Sequence, residues 1–225
     1  MRLYLLLFSV LSFTGCSDNA QSRTITIGEY AFMFPNNFRK LEEQGIDSYV
    51  GKVKGDSIVF GFDYGYYSDK LVETEQEYID KKYWLQNAEL QFMKPDIIYD
   101  NNNRPKIEVL NVRQAISSDT LKFKNADLIT KCKHDSIVFE YPITLPDKIK
   151  QHIIKVDTIQ NHQRKIVIAK DPSKGLTGIF LMNLNNFNKS MNSFTALSMS
   201  TSSLTKRQQD TVLKIFSTVK FVADK

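Results

Sequence analysis

The chain is poor in cysteine and lacks a long apolar run after its N-terminus. Its 225 residues include two cysteines, Cys16 and Cys132, so modification of Cys16 would leave Cys132 without a disulfide partner. No later stretch approaches the roughly 20 apolar residues of a membrane-spanning helix. The fold must therefore depend on a packed core, for which 15 Phe and 10 Tyr provide ample apolar surface.

The motifs of common enzyme classes are also lacking. The sequence contains no G-x-S-x-G nucleophile elbow and no glycine-rich phosphate loop before a helix. Its three histidines, His134, His152 and His162, do not have the spacing of zinc ligands. We therefore predict no catalytic residue, no metal and no cofactor. Lys and Arg are scattered among Asp and Glu, which argues against a nucleic-acid partner.

The N-terminus has the organisation of a secretory signal. Arg2 supplies a positive charge, and an apolar run over residues 3–13 suits a signal-peptide core but is too short to span a bilayer. The run ends in Phe13-Thr-Gly-Cys16, which resembles the bacterial lipobox, with Phe13 in place of the usual leucine. In that motif the cysteine is acylated and becomes the new N-terminus.

The lipobox resemblance implies a lipoprotein signal peptide over 1–15, a tether over 16–23 and a single domain over 24–225. Lipid on Cys16 would attach the protein to a membrane, because two or more acyl chains hold a protein stably at a bilayer. The richness in Asn, Lys and Ile is similar to that of proteins from AT-rich Bacteroidetes genomes. We expect a location in the bacterial cell envelope, outside the cytoplasm, at the outer membrane or cell surface rather than the inner membrane.

Most of the remaining pattern is typical of β-strands. Extended segments are predicted over 24–27 and 30–34, and a hairpin over 48–64 around a Gly55-Asp56 turn. Short strands are predicted near 107–112 and 120–124. Strands are also predicted over 153–159, 164–170, 176–182 and 194–200, with a C-terminal meander of three strands among them.

Two main helices are predicted, over about 74–92 and 205–217. Each starts with a capping box: Thr74 with Glu77, and Thr205 with Gln208. The pattern therefore predicts an α/β fold of the α+β kind, with a central, mostly antiparallel sheet packed against two helices.

The early hairpin, the late meander and the final helix, followed by an extended Ser217-Thr-Val-Lys-Phe221, resemble the PsbP/Mog1-like fold. The resemblance covers about 24–92 and 155–221, so residues 95–150 are predicted to be an insertion. It implies a role in assembly, binding or accessory support rather than in chemistry, although a fold alone does not establish a function.

A nine-residue sequence occurs twice. Residues 52–60 (KVKGDSIVF) and 131–139 (KCKHDSIVF) are identical at seven of nine positions, and both are hairpins by pattern. Partial duplication is one explanation. The other explanation is that the two hairpins acquired similar residues independently, because similar hairpins favour similar residues. We favour this explanation because the flanking residues do not match.

The best candidate for a recognition surface is the aromatic stretch over 62–67. Aromatic faces stack on sugars and anchor protein interfaces, and strand alternation would turn some of Tyr64, Tyr66 and Tyr67 outward. The alternative, which we favour, is that Phe62 and Tyr64 belong to the core and that Tyr66 and Tyr67 only cover the start of the helix.

Three functions remain open at this point. The leading hypothesis is an envelope lipoprotein with a non-catalytic binding or assembly-accessory role and an envelope protein as its partner. The second is an envelope hydrolase with dispersed active-site residues. The third is a lipoprotein that binds a glycan or a small ligand through the tyrosine-rich stretch.

Overall fold

The computed structural model describes residues 21–86, 107–134 and 136–222. Cys16 and the signal-peptide prediction lie outside the described residues, as does the last part of the helix predicted over 74–92. The described residues form mostly antiparallel β-sheet. The strands are β1 (Ser22–Ile27), β2 (Tyr30–Pro35), β3 (Arg39–Glu43), β4 (Tyr49–Lys54), β5 (Val59–Gly65), β6 (Glu108–Gln114), β7 (Leu128–His134), β8 (Ile137–Ile143), β9 (His152–Ile159), β10 (His162–Ala169), β11 (Leu176–Asn188), β12 (Ser193–Ser202) and β13 (Lys220–Phe221).

The strands form three sheets rather than one central sheet. The largest has the order β3-β4-β5-β12-β11-β10-β9, and a smaller sheet has the order β1-β2-β13. Strands β6, β7 and β8 form a third sheet within the segment that was predicted to be an insertion. The four strands predicted between 153 and 200 are confirmed as β9 to β12, and all four join the C-terminal meander rather than three.

Helices cover less of the chain than predicted. They are α1 (Glu75–Lys81), α2 (Asp147–Lys150) and α3 (Lys206–Ser217), with 3₁₀ turns at Tyr83–Gln86 and Asp119–Leu121. Both predicted capping boxes are confirmed, at the starts of α1 and α3. The strand predicted near 120–124 is wrong, because that segment begins with the second 3₁₀ turn.

The continuous helix predicted over 74–92 is also wrong within the described residues. Helix α1 stops after Lys81 because Lys82 adopts a left-handed conformation, with φ of 54°. The indole N–H of Trp84 then donates to the carbonyl oxygen of Ile79 (3.1 Å), a group that a longer helix would have used itself. No glycine marks this end in the sequence, so the helical pattern extends past the real terminus.

The main core lies between the largest sheet and the layer formed by the β1-β2-β13 sheet and α3. Alternation along β5 turns Phe60 and Phe62 into this core. The ring of Phe60 packs against Phe34 of β2 and Phe216 of α3, with ring centroids 5.7 and 5.9 Å apart. Aromatic packing across three elements therefore sets how the two layers meet.

The repeated sequence forms the same local structure twice. Val53 pairs with Phe60 in the β4-β5 hairpin, and the equivalent Cys132 pairs with Phe139 in the β7-β8 hairpin. The surroundings differ, since Ile58 is 5% exposed and its equivalent Ile137 is 46% exposed. The motif thus determines a hairpin register but not the sheet that the hairpin joins.

Within the described segments, none of the helices has the length and apolar character that crossing a membrane would require.

Candidate functional site

The predicted tyrosine stretch is split between the core and the surface. Tyr64, at the end of β5, packs edge-on against the buried ring of Tyr30, with ring centroids 6.2 Å apart. Tyr66 and Tyr67 follow the strand, and Tyr67 is 61% exposed. Tyr64 therefore supports the core, whereas Tyr67 is available to a partner.

Tyr66 and Tyr67 lie beside the end of the β11-β12 hairpin. The Tyr67 hydroxyl donates to Sδ of Met191 (3.4 Å), and Ser193 Oγ donates to the carbonyl oxygen of Tyr66 (2.8 Å). Hydrogen bonds from Asn188, and then Thr195, lower the pKa of Tyr66. These contacts hold the two tyrosines against the hairpin, although they are about 120 residues away in sequence.

The end of this hairpin projects beyond the sheet. Pairing of β11 with β10 ends at Asn183, and pairing of β12 with β5 ends at Ala196. Between these positions the register of the hairpin shifts, and Phe187 packs against Phe194 with ring centroids 4.9 Å apart. We call the surface formed by Tyr67, Phe187, Met191 and Phe194 the aromatic tip.

The aromatic tip is built from apolar and neutral polar side chains. Phe187 and Met191 are exposed, and Lys189 is the single charged residue between 184 and 194. The other residues of this stretch are mostly Asn and Ser, which supply adaptable hydrogen bonds around rigid aromatic rings. The same combination is typical of antibody surfaces that bind proteins.

Sequence reasoning missed Phe187 and Met191 as exposed residues, and the half-buried Phe194 beside them. The Asn- and Ser-rich composition predicted a loop up to Asn192, whereas β11 continues to Asn188. The sequence did contain a signal for this surface, because apolar residues recur within a stretch rich in Asn and Ser. Their contact with Tyr67 could not be inferred, because it depends on the pairing of β12 with β5.

The aromatic tip and the start of the described chain lie at opposite ends of the β-layers. Gln21 accepts a backbone hydrogen bond from Asn36, beside the first residue of β1. The other end of β1 leads to Glu29, whose carboxylate accepts from Asn183 at the base of the tip (2.7 Å). A strand of six residues spans about 20 Å, so β1 runs about this distance from the Gln21 end to the Glu29 end.

A buried polar group lies below the tip. It consists of the Glu29 carboxylate, the Tyr30 hydroxyl and the His162 ring, and His162 Nε2 is 3.8 Å from Glu29 Oε2. Three of its atoms, Glu29 Oε1, Tyr30 Oη and His162 Nε2, are buried and find no hydrogen-bond partner among the described residues. Burial, followed by the charge of Glu29 and by the interaction of its carboxylate with the Tyr30 hydroxyl, raises the pKa of Tyr30 above its ordinary value.

His152 and His162 are equally buried, at 8% exposed, but differ in their hydrogen bonds. His152 Nδ1 lies 2.6 Å from the carbonyl oxygen of Lys148, and its Nε2 accepts from the Leu176 N–H (3.2 Å). His162 uses only Nδ1, which lies 2.8 Å from the carbonyl oxygen of Gln160. Neither ring is hydrogen-bonded to a hydroxyl or thiol, as a general base for a nucleophile would be.

A cleft of about 590 Å³ separates the largest sheet from the β6-β7-β8 sheet. Three of its charged residues, Asp127, Lys150 and Lys170, bind one another or the backbone. Asp127 accepts from Lys150 (3.2 Å) and from the Leu145 N–H (2.8 Å), and Lys170 donates to the carbonyl oxygen of Lys150 (2.6 Å). These contacts join the elements around the cleft.

The described part of the chain contains no group of three or more His, Cys, Asp or Glu side chains placed to hold a metal ion. Of the groups described above, the aromatic tip is the one that is exposed to a partner. Comparisons of the chain with models of known protein families and with curated proteins gave no match.

Proposed function

We propose that this protein is a lipoprotein of the bacterial cell envelope that binds an envelope protein through its aromatic tip and catalyses no reaction. The observation that carries the proposal is the projecting hairpin end, where Phe187 and Met191 are exposed and the exposed Tyr67 contacts Met191. Exposed aromatic and methionine side chains that cluster in this way are enriched at protein interfaces.

The position of the tip supports binding away from the anchoring membrane. Lipid on Cys16 would hold the Gln21 end of the β-layers close to the bilayer, with four residues between the two positions. The aromatic tip is at the other end, so it would face away from that membrane. We propose that the anchor is in the outer membrane or at the cell surface. For the largest sheet and the layer that contains α3, we propose a relationship to the PsbP/Mog1-like fold.

The anchor is tested by metabolic labelling with a radioactive or alkyne-tagged palmitate. The expected result is incorporation into the unchanged protein and recovery in the membrane fraction. Cys16→Ala should abolish both. Equal labelling of the two forms would contradict lipidation at Cys16.

The binding surface is tested by affinity purification of the anchored protein from gently cross-linked envelopes. Met191→Ser and Tyr67→Ala should each reduce the recovered partner about tenfold or more, because truncation of an interface anchor has effects of this size. The matched control is Met33→Ser. Met33 is 44% exposed and Met191 is 45% exposed, but Met33 lies on β2, away from the tip.

Partner recovery that is unchanged in the tip variants would overturn the role of the tip. A glycan array with the same variants separates the protein-binding proposal from glycan binding. If a glycan bound the unchanged protein and no protein partner were recovered, the proposal would be wrong about the partner.

A further inference from the structure

The Gln21 end of the β-layers brings together segments that are far apart in the sequence. The side chain of Asn37, in the turn between β2 and β3, donates to Asp56 in the turn between β4 and β5 (2.8 Å). The side chain of Gln208, at the start of α3, donates to the carbonyl oxygen of Ser57 in the same turn (3.0 Å). These contacts place three segments side by side.

The turn between β10 and β11 lies at the same end. The carbonyl oxygen of its Pro172 accepts a hydrogen bond from the N–H of Leu204 (2.9 Å), in the link between β12 and α3. We call this end the basal surface. It consists of residues 21–23, 35–39, 54–58, 171–175 and 202–207.

The basal surface is rich in positive charge. It contains six Lys and Arg residues, all exposed, and two Asp residues. The six are Arg23, Arg39, Lys54, Lys174, Lys206 and Arg207. Lys174 is 3.6 Å from Asp171 and Lys206 is 3.1 Å from Asp210, whereas the other four have no ion-pair partner among the described residues.

The opposite end of the β-layers, which carries the aromatic tip, has the reverse charge. The turns at that end are residues 27–30, 43–49, 64–69, 159–162, 183–194 and 217–221. They contain four Asp and Glu residues and two Lys residues. Positive and negative charge are therefore separated along the strands, and a separation of this kind orients a protein near a charged surface.

Two features of the basal surface lower the stability of the free protein. Arg39 and Lys54 are directly opposite each other on β3 and β4, and like charges in such a pair destabilise a sheet. Lys206 and Arg207 begin α3, whose first turn contains no acidic residue, although the positive end of the helix dipole disfavours cations there. Anions at this surface would offset both effects, so the arrangement fits an anionic partner better than it fits folding alone.

The proposed lipid on Cys16 would put a membrane beside this surface. Four residues lie between Cys16 and Gln21. At about 3.6 Å per extended residue, this connection reaches at most about 18 Å. Exposed Lys and Arg residues held so close to a bilayer are attracted to anionic lipids.

From this arrangement we infer that the basal surface binds the anionic lipid headgroups of the membrane that holds Cys16. The contact keeps the aromatic tip directed away from the bilayer, where a partner protein can reach it. The inference rests on the lipid anchor of the proposed function.

The test is lysine acetylation of the purified protein on vesicles, with the modified residues identified by mass spectrometry. Neutral vesicles of phosphatidylcholine are compared with vesicles that also contain phosphatidylglycerol. Acetylation of Lys54 should be about fivefold slower on the anionic vesicles, since one cation near an anionic bilayer contributes a factor of this size. Acetylation of Lys189, at the opposite end, should be equal on both. Added salt should remove the difference at Lys54.

A double variant tests whether the basal surface causes this shielding. Arg39→Gln together with Arg207→Gln should bring the two rates at Lys54 close together, because two cations are lost. Lys189→Gln together with Lys220→Gln is the matched control, since it removes the same charge from the opposite end and should leave Lys54 shielded. All four substituted residues are exposed, so the core is unchanged.

Equal acetylation of Lys54 on the two kinds of vesicle would overturn the inference, as would shielding that both double variants keep. Shielding by soluble dextran sulfate on neutral vesicles, without shielding by phosphatidylglycerol, would also overturn it, because the partner would then be a polyanion other than lipid.

Failure of the lipid anchor gives a different result, which is loss of the protein from neutral vesicles. Sedimentation with the anionic vesicles then decides. Binding that Arg39→Gln with Arg207→Gln weakens about tenfold or more would support the basal surface, and absence of binding would overturn it.

Discussion

The ring of Tyr64 lies directly against Gly28, so that a Cβ atom added at position 28 would be 2.3 Å from Tyr64 Cζ. Gly28 forms part of the turn between β1 and β2 and has φ of +55°, which side chains disfavour. Tyr64 is therefore fixed to the β1-β2 layer, and this contact explains why the first tyrosine of the aromatic stretch is not at the surface.

Gly28→Ala should lower the free energy of unfolding by about 2–5 kcal/mol. About 1–2 kcal/mol comes from the left-handed backbone and about 1–3 kcal/mol from displacing the Tyr64 ring. Urea denaturation measures the change. Gly61→Ala is the control, because a Cβ there meets nothing within 4 Å. Equal stability of the two variants would contradict the packing of Tyr64 on Gly28.

Glu77 and Lys165 should contribute unequally to stability. Lys165 is buried and its ammonium group is 2.9 Å from Glu77 Oε2, whereas Glu77 is partly exposed. Glu77→Gln keeps the capping box but removes the countercharge, which should cost about 1–3 kcal/mol. Lys165→Met should cost less, since it leaves no buried charge.

The double variant Glu77→Gln, Lys165→Met separates the two effects in thermal or urea unfolding. Its stability should be close to that of Lys165→Met alone, because the unpaired ammonium group is gone. Additive losses in the double variant would show that the pair is not coupled.

Asp119 should make the β6 end of the third sheet sensitive to acid. Two hydrogen bonds from Arg113, together with one from the Ile116 N–H, lower the pKa of Asp119 to about 2. A carboxyl group whose pKa is lowered in the folded protein stabilises the folded state at pH values above its ordinary pKa of 3.8. This stabilisation is lost as the pH falls through about 2.

The measurement is the pH titration of the Asp119 carboxyl carbon by NMR, with unfolding temperatures at pH 5, 3 and 2. Asp119→Asn should be less stable than the unchanged protein at pH 5, and the difference should shrink at pH 2. A titration midpoint near 3.8, or a constant difference between the two proteins, would contradict the Arg113 contact.

Cys132 should be unreactive in the folded protein. Its thiol is fully buried beside the Thr130 hydroxyl, and burial raises its pKa, so the reactive thiolate is rare. Iodoacetamide should therefore label the Cys16→Ala form only after denaturant is added, as mass spectrometry would show. Rapid labelling without denaturant would place the thiol at the surface.

The features that the sequence predicted correctly are local ones. The capping boxes at Thr74 and Thr205 form because each involves residues three apart, which meet in any helix that starts there. Helix α1 ends early next to a non-local contact, since Trp84, two residues after the left-handed Lys82, packs against Tyr141 of β8 with ring centroids 5.7 Å apart. The aromatic tip is also formed by residues that are far apart in the sequence. For that reason the sequence indicated only Tyr66 and Tyr67, which lie beside the hairpin end.

The sequence by itself determined hairpins and helix starts, as the repeated nine residues show, because hydrogen bonds between near neighbours set their register. Tertiary structure alone decided that Ile58 is buried and Ile137 exposed, since burial depends on which layer covers a hairpin. It likewise joined Glu29 to His162, and Tyr67 to Met191, across more than 100 residues. Contacts of that kind arise only when distant strands pair and the layers pack together.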